Sequence, residues 1–106
     1  MKAKTETPIL ITVLTNEQKD KFNQALEKLS LVNANMNTDE LEEKGLEIYG
    51  MVYDRNLLLN SSFKSYLAEL YSRLNYLIRA KNFDKSILKF NIKIATENLQ
   101  KVVQAC

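Results

Sequence analysis

Lys85, Lys89 and Lys93 recur at four-residue spacing, and on a helix that spacing lines up three ammonium groups along one stripe. A stripe of this kind can follow the phosphates of a nucleic-acid backbone. Evenly spaced lysines also serve simply to solvate the outer face of a helix. Lys64, Arg73, Arg79, Lys81 and Lys101 lie in the same half of the chain. Residues 1–56 carry seven Lys and Arg against ten Asp and Glu, whereas residues 57–106 carry eight against three. An acidic partner is therefore drawn first to the second half. Tyr66, Tyr71 and Tyr76 offer rings on which bases can stack, or, as members of an apolar stripe, core rings with a hydrated hydroxyl.

Other chemistries find few residues to use. The 106 residues include no His and a single Cys, Cys106, so there is no Ser-His or Cys-His nucleophile pair and no imidazole base or ligand. No phosphate-cradling glycine loop can be placed either, and no enzymatic activity is expected. Asp39, Glu40, Glu42, Glu43 and Glu47 form the one dense acidic cluster. A divalent cation is conceivable there, but the preference of carboxylates for a helix start explains the early members, and no metal or cofactor is expected. Cys106 reads as a tail thiol, and Met36 and Met51 as packing residues. One cysteine gives no internal disulfide, which fits a reducing cytoplasm. The apolar run Pro8–Leu14 is too short for a signal peptide, and nothing approaches the roughly 20 apolar residues of a membrane span.

Two Gly and one Pro in the whole chain leave most of it free to be helical. Residues 9–14, β-branched and aliphatic after Pro8, read as one short strand. With no second strand of similar quality, its partner is expected from another copy, giving a homodimer joined through residues 9–14. Thr15-Asn16-Glu17-Gln18 has the form of a capping box, and Phe22, Ala25, Leu26 and Leu29 then recur at helical spacing to an end near Leu31. A polar turn, 32–37, leads to a second helix capped by Asn37 or Thr38, with Leu41, Ile48, Tyr49, Val52 and Tyr53 along its stripe. Gly45 and Gly50 weaken that helix by about 1 kcal/mol each relative to Ala, and are expected to permit close helix contact. Ser61 or Ser62 is expected to cap a third helix with the stripe Phe63, Tyr66, Leu67, Leu70, Tyr71, Leu74, Leu77 and Ile78. Asp84 can cap a fourth that contains Ile87, Leu88, Ile92, Ala95, Leu99 and Val102, forming an antiparallel hairpin with the third.

The order strand, turn, helix, turn, helix over residues 8–53 resembles a ribbon-helix-helix unit, with Phe22 eight residues after Leu14 at the position of that family's first large helical core residue. The stretches Leu14-Thr15-Asn16-Glu17-Gln18-Lys19-Asp20-Lys21-Phe22-Asn23 and Glu43-Lys44-Gly45-Leu46-Glu47-Ile48-Tyr49 are similar to the amino-terminal domain of TraM-type DNA-binding proteins of conjugative plasmids. The segment Arg73-Leu74-Asn75-Tyr76-Leu77-Ile78-Arg79-Ala80 resembles MobC-type mobilisation proteins. The resemblance implies a mainly α protein with one short N-terminal strand and about four helices. It divides into a dimerisation unit, 1–56, and a C-terminal helical hairpin, 57–106. It also implies a cytoplasmic accessory factor or repressor of a plasmid or phage that binds double-stranded DNA and meets a relaxase or other protein.

In that family alternate strand residues read base edges in the major groove. Here one register presents Ile9, Ile11 and Val13, and the other Leu10, Thr12 and Leu14, so only Thr12 offers a side-chain hydrogen bond. A strand apolar on both faces is commonly buried on both, which leaves a ribbon covered by protein as an alternative. On the DNA-binding reading Lys2, Lys4, Thr12, Asn37 and Thr38 touch DNA, with Arg73, Arg79, Lys85, Lys89 and Lys93 adding phosphate contacts. The rival is a small helical protein-binding protein, such as an immunity protein or phage-encoded inhibitor, with no nucleic-acid partner.

Overall fold

The computed structural model describes residues 10–104. Five α-helices follow in chain order: α1 (Asn16–Ser30), α2 (Thr38–Val52), α3 (Arg55–Asn60), α4 (Lys64–Ile78) and α5 (Lys85–Gln104), with a 3-10 turn at Ala80–Asn82 before the last. The mainly helical expectation holds. The N-terminal strand on which the ribbon-helix-helix reading rests does not, because the described residues contain no strand and no sheet.

The difference has a local cause. Asp54 caps a short helix, its Oδ1 accepting from the Leu57 amide at 3.0 Å, so the run Leu57-Leu58-Leu59 becomes α3. The chain leaves α3 extended at Ser61, and residue 11 pairs there: the Ile11 amide donates to the Asn60 carbonyl at 2.7 Å and the Ser62 amide to the Ile11 carbonyl at 2.9 Å. This single parallel bridge gives Ile11 a backbone partner within its own chain. Leu14 reaches the core, Ile11 packs partly against it, and Leu10, Thr12 and Val13 stay exposed; Ile9 lies outside the described residues. Neither serine caps the next helix: α4 begins after Phe63 without a side-chain cap, and Ser61 is buried beside the bridge.

The other helix starts follow their sequences. In α1 the Thr15 Oγ1 accepts from the Gln18 amide at 3.1 Å and the Gln18 Oε1 accepts from the Thr15 amide at 2.8 Å, the two halves of a capping box. Phe22, Ala25 and Leu29 then point into the core. Asn37 starts α2 by accepting from the Asp39 amide at 2.7 Å, and Leu41, Gly45, Ile48 and Val52 form its buried stripe. α4 buries Leu67, Leu70, Tyr71, Leu74 and Leu77 and packs against α2, α3 and α5 at once. One apolar core runs from Leu14 through to Val102.

Tyr71 ties three elements together. Its hydroxyl donates to the Val52 carbonyl at 2.7 Å and accepts from the Asp54 amide at 3.1 Å, satisfying two backbone groups where α2 turns into α3. Burial pushes its phenol well above the ordinary tyrosine range, and its ring packs against Tyr49 and Tyr53 at centroid distances of 5.5 and 5.2 Å. Tyr76 is also a packing residue, 4.8 Å from the Phe83 ring, whereas Tyr66 lies at the surface beneath Lys101.

The two glycines of α2 have different roles. A Cβ on Gly45 would lie 3.0 Å from the Leu77 Cβ and 3.1 Å from the Ile78 amide nitrogen, so α2 and α4 cross there so closely that an added methyl group would push against α4. A Cβ on Gly50 would meet nothing within 4 Å, and the expected close contact is absent. Gly50→Ala should therefore stabilise the protein by up to about 1 kcal/mol through helix propensity. Gly45→Ala should lose about 1 kcal/mol net, since overpacking of roughly 1–3 kcal/mol outweighs the same propensity gain. Urea denaturation of the two variants checks the opposite signs.

Candidate nucleic-acid interface

Helix α5 buries Leu88, Ala95, Leu99 and Val102 and thereby sets where its lysines go. At 3.6 residues per turn, Lys85, Lys89 and Lys93 fall on a stripe between Ile92, at the edge of the core, and Phe90 on the far side. All three lysines are exposed, Phe90 is 54% exposed, and Ile92 is half-buried. The turn after α1 approaches this part of α5, and Val32, Asn33, Ala34 and Asn35 join Lys85, Ser86, Lys89, Phe90, Ile92 and Lys93 around an open groove of about 740 Å³. A rise of about 1.5 Å per residue spaces the lysines about 6 Å apart along the helix.

The three ammonium groups have no protein partner among the described residues. Several other cations do. Lys81 Nζ lies 2.7 Å from Asp39 Oδ1 and 3.9 Å from Glu42 Oε1, Lys28 and Lys44 share Glu47 at 3.3 and 3.7 Å, and Lys21 reaches Glu17 at 3.7 Å. Most of the acidic cluster on α2 is thus engaged with lysines from its own and neighbouring elements, while the groove lysines meet no carboxylate among the described residues.

The start of α5 is fixed by Asp84. Its Oδ1 accepts from the Ser86 hydroxyl at 2.7 Å and from the Ile87 amide at 3.0 Å, and these two bonds hold its carboxyl below the usual carboxylate range. Asp84 is also the one carboxylate next in sequence to the lysine stripe, and it faces the helix end rather than pairing with an ammonium group.

The other residues expected at a DNA interface are scattered. Lys2 and Lys4 lie outside the described residues. Thr12 is exposed in the segment that pairs with residues 60–62, remote in sequence from α5. Asn37 spends its side-chain oxygen on the cap of α2, and Thr38 opens that helix beside Asp39 and the Lys81 pair, so phosphate would meet carboxylate there. Arg73 is engaged on several sides: Nε and Nη2 hold Glu69 Oε2 at 2.7 and 2.6 Å, Nη1 donates to Asn91 Oδ1 at 3.0 Å, and the guanidinium lies 5.6 Å from the centre of the Phe90 ring. Arg79 closes α4 and is exposed. Of the eight described residues expected to touch DNA, Lys85, Lys89 and Lys93 share the groove.

Phe90, Ile92 and the turn 32–35 belong to this site although sequence reasoning does not place them there. A signal for Phe90 exists: it is an aromatic residue two positions off the buried stripe of α5, on a face where a large apolar side chain has no packing role. The turn has none, because its approach to α5 is a tertiary contact between residues about 50 or more apart in the chain.

No protein-family model, curated protein or solved structure matches the chain. No helix among the described residues is long and apolar enough to cross a membrane.

Because the folded-state pKa of Asp84 is depressed, its cap contributes stability above the unfolded carboxyl value of about 3.9 and loses it as pH falls through the lower folded value. Protection of the Lys85–Leu88 amides, relative to their intrinsic exchange rates at each pH, should fall on acidification across that window, and in Asp84→Ala at neutral pH, before the core of α5 opens. Simultaneous loosening of the whole helix would contradict this local role.

Proposed function

We propose that the protein binds nucleic acid through phosphate contacts to Lys85, Lys89 and Lys93, and acts as a non-enzymatic accessory or regulatory factor in the cytoplasm. One observation carries the reading: three ammonium groups without a partner among the described residues line a single groove, in a protein that matches several of its other cations with carboxylates. Concentrated, exposed positive charge without internal compensation attracts a polyanion and is relieved by it. The plasmid or phage role implied by the sequence resemblance is a narrower form of this proposal. It has to act without a two-stranded ribbon in the major groove, since Ile11 pairs within its own chain, and binding through the groove requires no second copy.

Phosphate contacts of this kind position a nucleic acid without reading its sequence. Thr12, Asn37 and Thr38 are not needed for them, and Arg73 contributes only by supporting Phe90.

Three neutralised phosphates give a log–log salt dependence of affinity with a slope of about −2 on single strands and about −3 on duplexes. Binding of random-sequence oligonucleotides, in both forms and at several salt concentrations, should show a slope in this range for at least one form. The variant K85E/K89E/K93E should lose retention while keeping its helical content, since all three side chains are exposed. Undiminished binding by this variant, or affinity insensitive to salt, would overturn the proposal.

A further inference from the structure

Building on that proposal, we infer that the groove takes a single-stranded segment, with a base stacked on Phe90 and the flanking phosphates on Lys85, Lys89 and Lys93. A phosphate backbone by itself gains nothing from apolar side chains, and a purely electrostatic duplex contact needs only a convex basic face. This groove instead joins unpaired ammonium groups with Phe90, Ile92, Val32 and Ala34. The ligand that complements both is anionic along one edge and flat and apolar on its faces, which describes an unpaired nucleotide.

Phe90 is arranged for such a role. It is a large aromatic side chain left 54% exposed, the most exposed of the large apolar residues of α5. The Arg73 guanidinium over its ring is held in place by Glu69 and the buried Asn91, which backs the ring with a fixed cation and limits its motion. Across the groove, Asn35 has a side-chain amide with no partner among the described residues, and Asn33 uses only its oxygen, accepting from the Asn35 amide at 2.9 Å. These groups can donate to and accept from the edge of an unpaired base, an edge that a duplex conceals in pairing. The lysine stripe spans about 12 Å along α5, long enough for more than one phosphate of a single strand.

The test compares one mixed-sequence oligonucleotide of about 15 nucleotides, as a single strand and as a blunt duplex, by fluorescence anisotropy at about 50 mM salt. The single strand should bind at least about tenfold more tightly. Phe90→Leu, which keeps an apolar side chain and removes the aromatic face, should weaken single-strand binding by about 5- to 100-fold and leave duplex binding unchanged, and Phe90→Tyr should restore it. Equal or tighter duplex binding that still depends on the lysines would overturn the single-strand inference and leave the phosphate-binding proposal standing, as would an unaltered single-strand affinity in Phe90→Leu. Loss of the inference and the proposal together would follow if neither form binds, or if an acidic amphipathic peptide competes for the groove where neither nucleic acid does.

Discussion

The burial of α4 is the constraint from which the rest of the molecule follows. Its residues Leu67, Leu70, Leu74 and Leu77 are almost completely removed from solvent, and no single neighbouring helix covers them all. α2 comes so close at Gly45 that an added Cβ would press on Leu77 and Ile78, α3 closes one end, and α5 runs along the remaining face. Tyr71 adds a polar requirement within the same face, because its hydroxyl completes the backbone hydrogen bonding at the α2–α3 junction. Burying an aromatic ring while satisfying its hydroxyl is favourable on both counts. Once α4 is covered in this way, the rotation of α5 about its axis is fixed, and with it the outward direction of the lysine stripe.

The placement of charge follows from the same packing. α2 lies where its carboxylates can meet Lys28 of α1 and Lys81 of the 3-10 turn, so the acidic cluster is largely consumed in tethering neighbouring elements. Exposed ion pairs of this kind contribute little stability individually, and among the described residues none of them involves a lysine of α5. The first half of α5 is left as a cationic face beside the turn 32–35, with Asp84 turned to the helix end. Pairing of the α2 carboxylates thus adds to the excess of basic residues that composition already gives the second half of the chain.

What the sequence discloses is local, and the structure departs from it where distant residues meet. The capping box at Thr15, the cap at Asn37 and the apolar stripes of α1, α2, α4 and α5 all depend on residues within a turn or two of one another, and each is legible in the chain. Residues 9–14 read as a strand on β-branched composition alone, and that composition serves equally well for a segment laid against the α3–α4 junction with Leu14 in the core. α3 escapes a reading by pattern because Leu57-Leu58-Leu59 has no periodicity, although Asp54 three residues before Leu57 is an available cap signal. At the candidate site the lysines are visible from their spacing. The groove beside them depends on α1 and α5 packing together. Arg73 reads as a DNA contact by its charge, yet that charge is held by Glu69 four residues earlier, a pairing that the helical spacing itself permits.

A stripe of lysines becomes a binding site only if the groove beside it is where the ligand settles. Amide chemical-shift mapping of the full chain, titrated with an unlabelled mixed-sequence single strand, locates that contact directly. Binding in the groove requires the shifted amides to cluster at Val32–Asn35 and Lys85–Lys93, with Asn37–Glu40 and residues 10–14 unmoved. Shifts centred on residues 10–14 or on the start of α2, or a spectrum indifferent to the oligonucleotide, would contradict it.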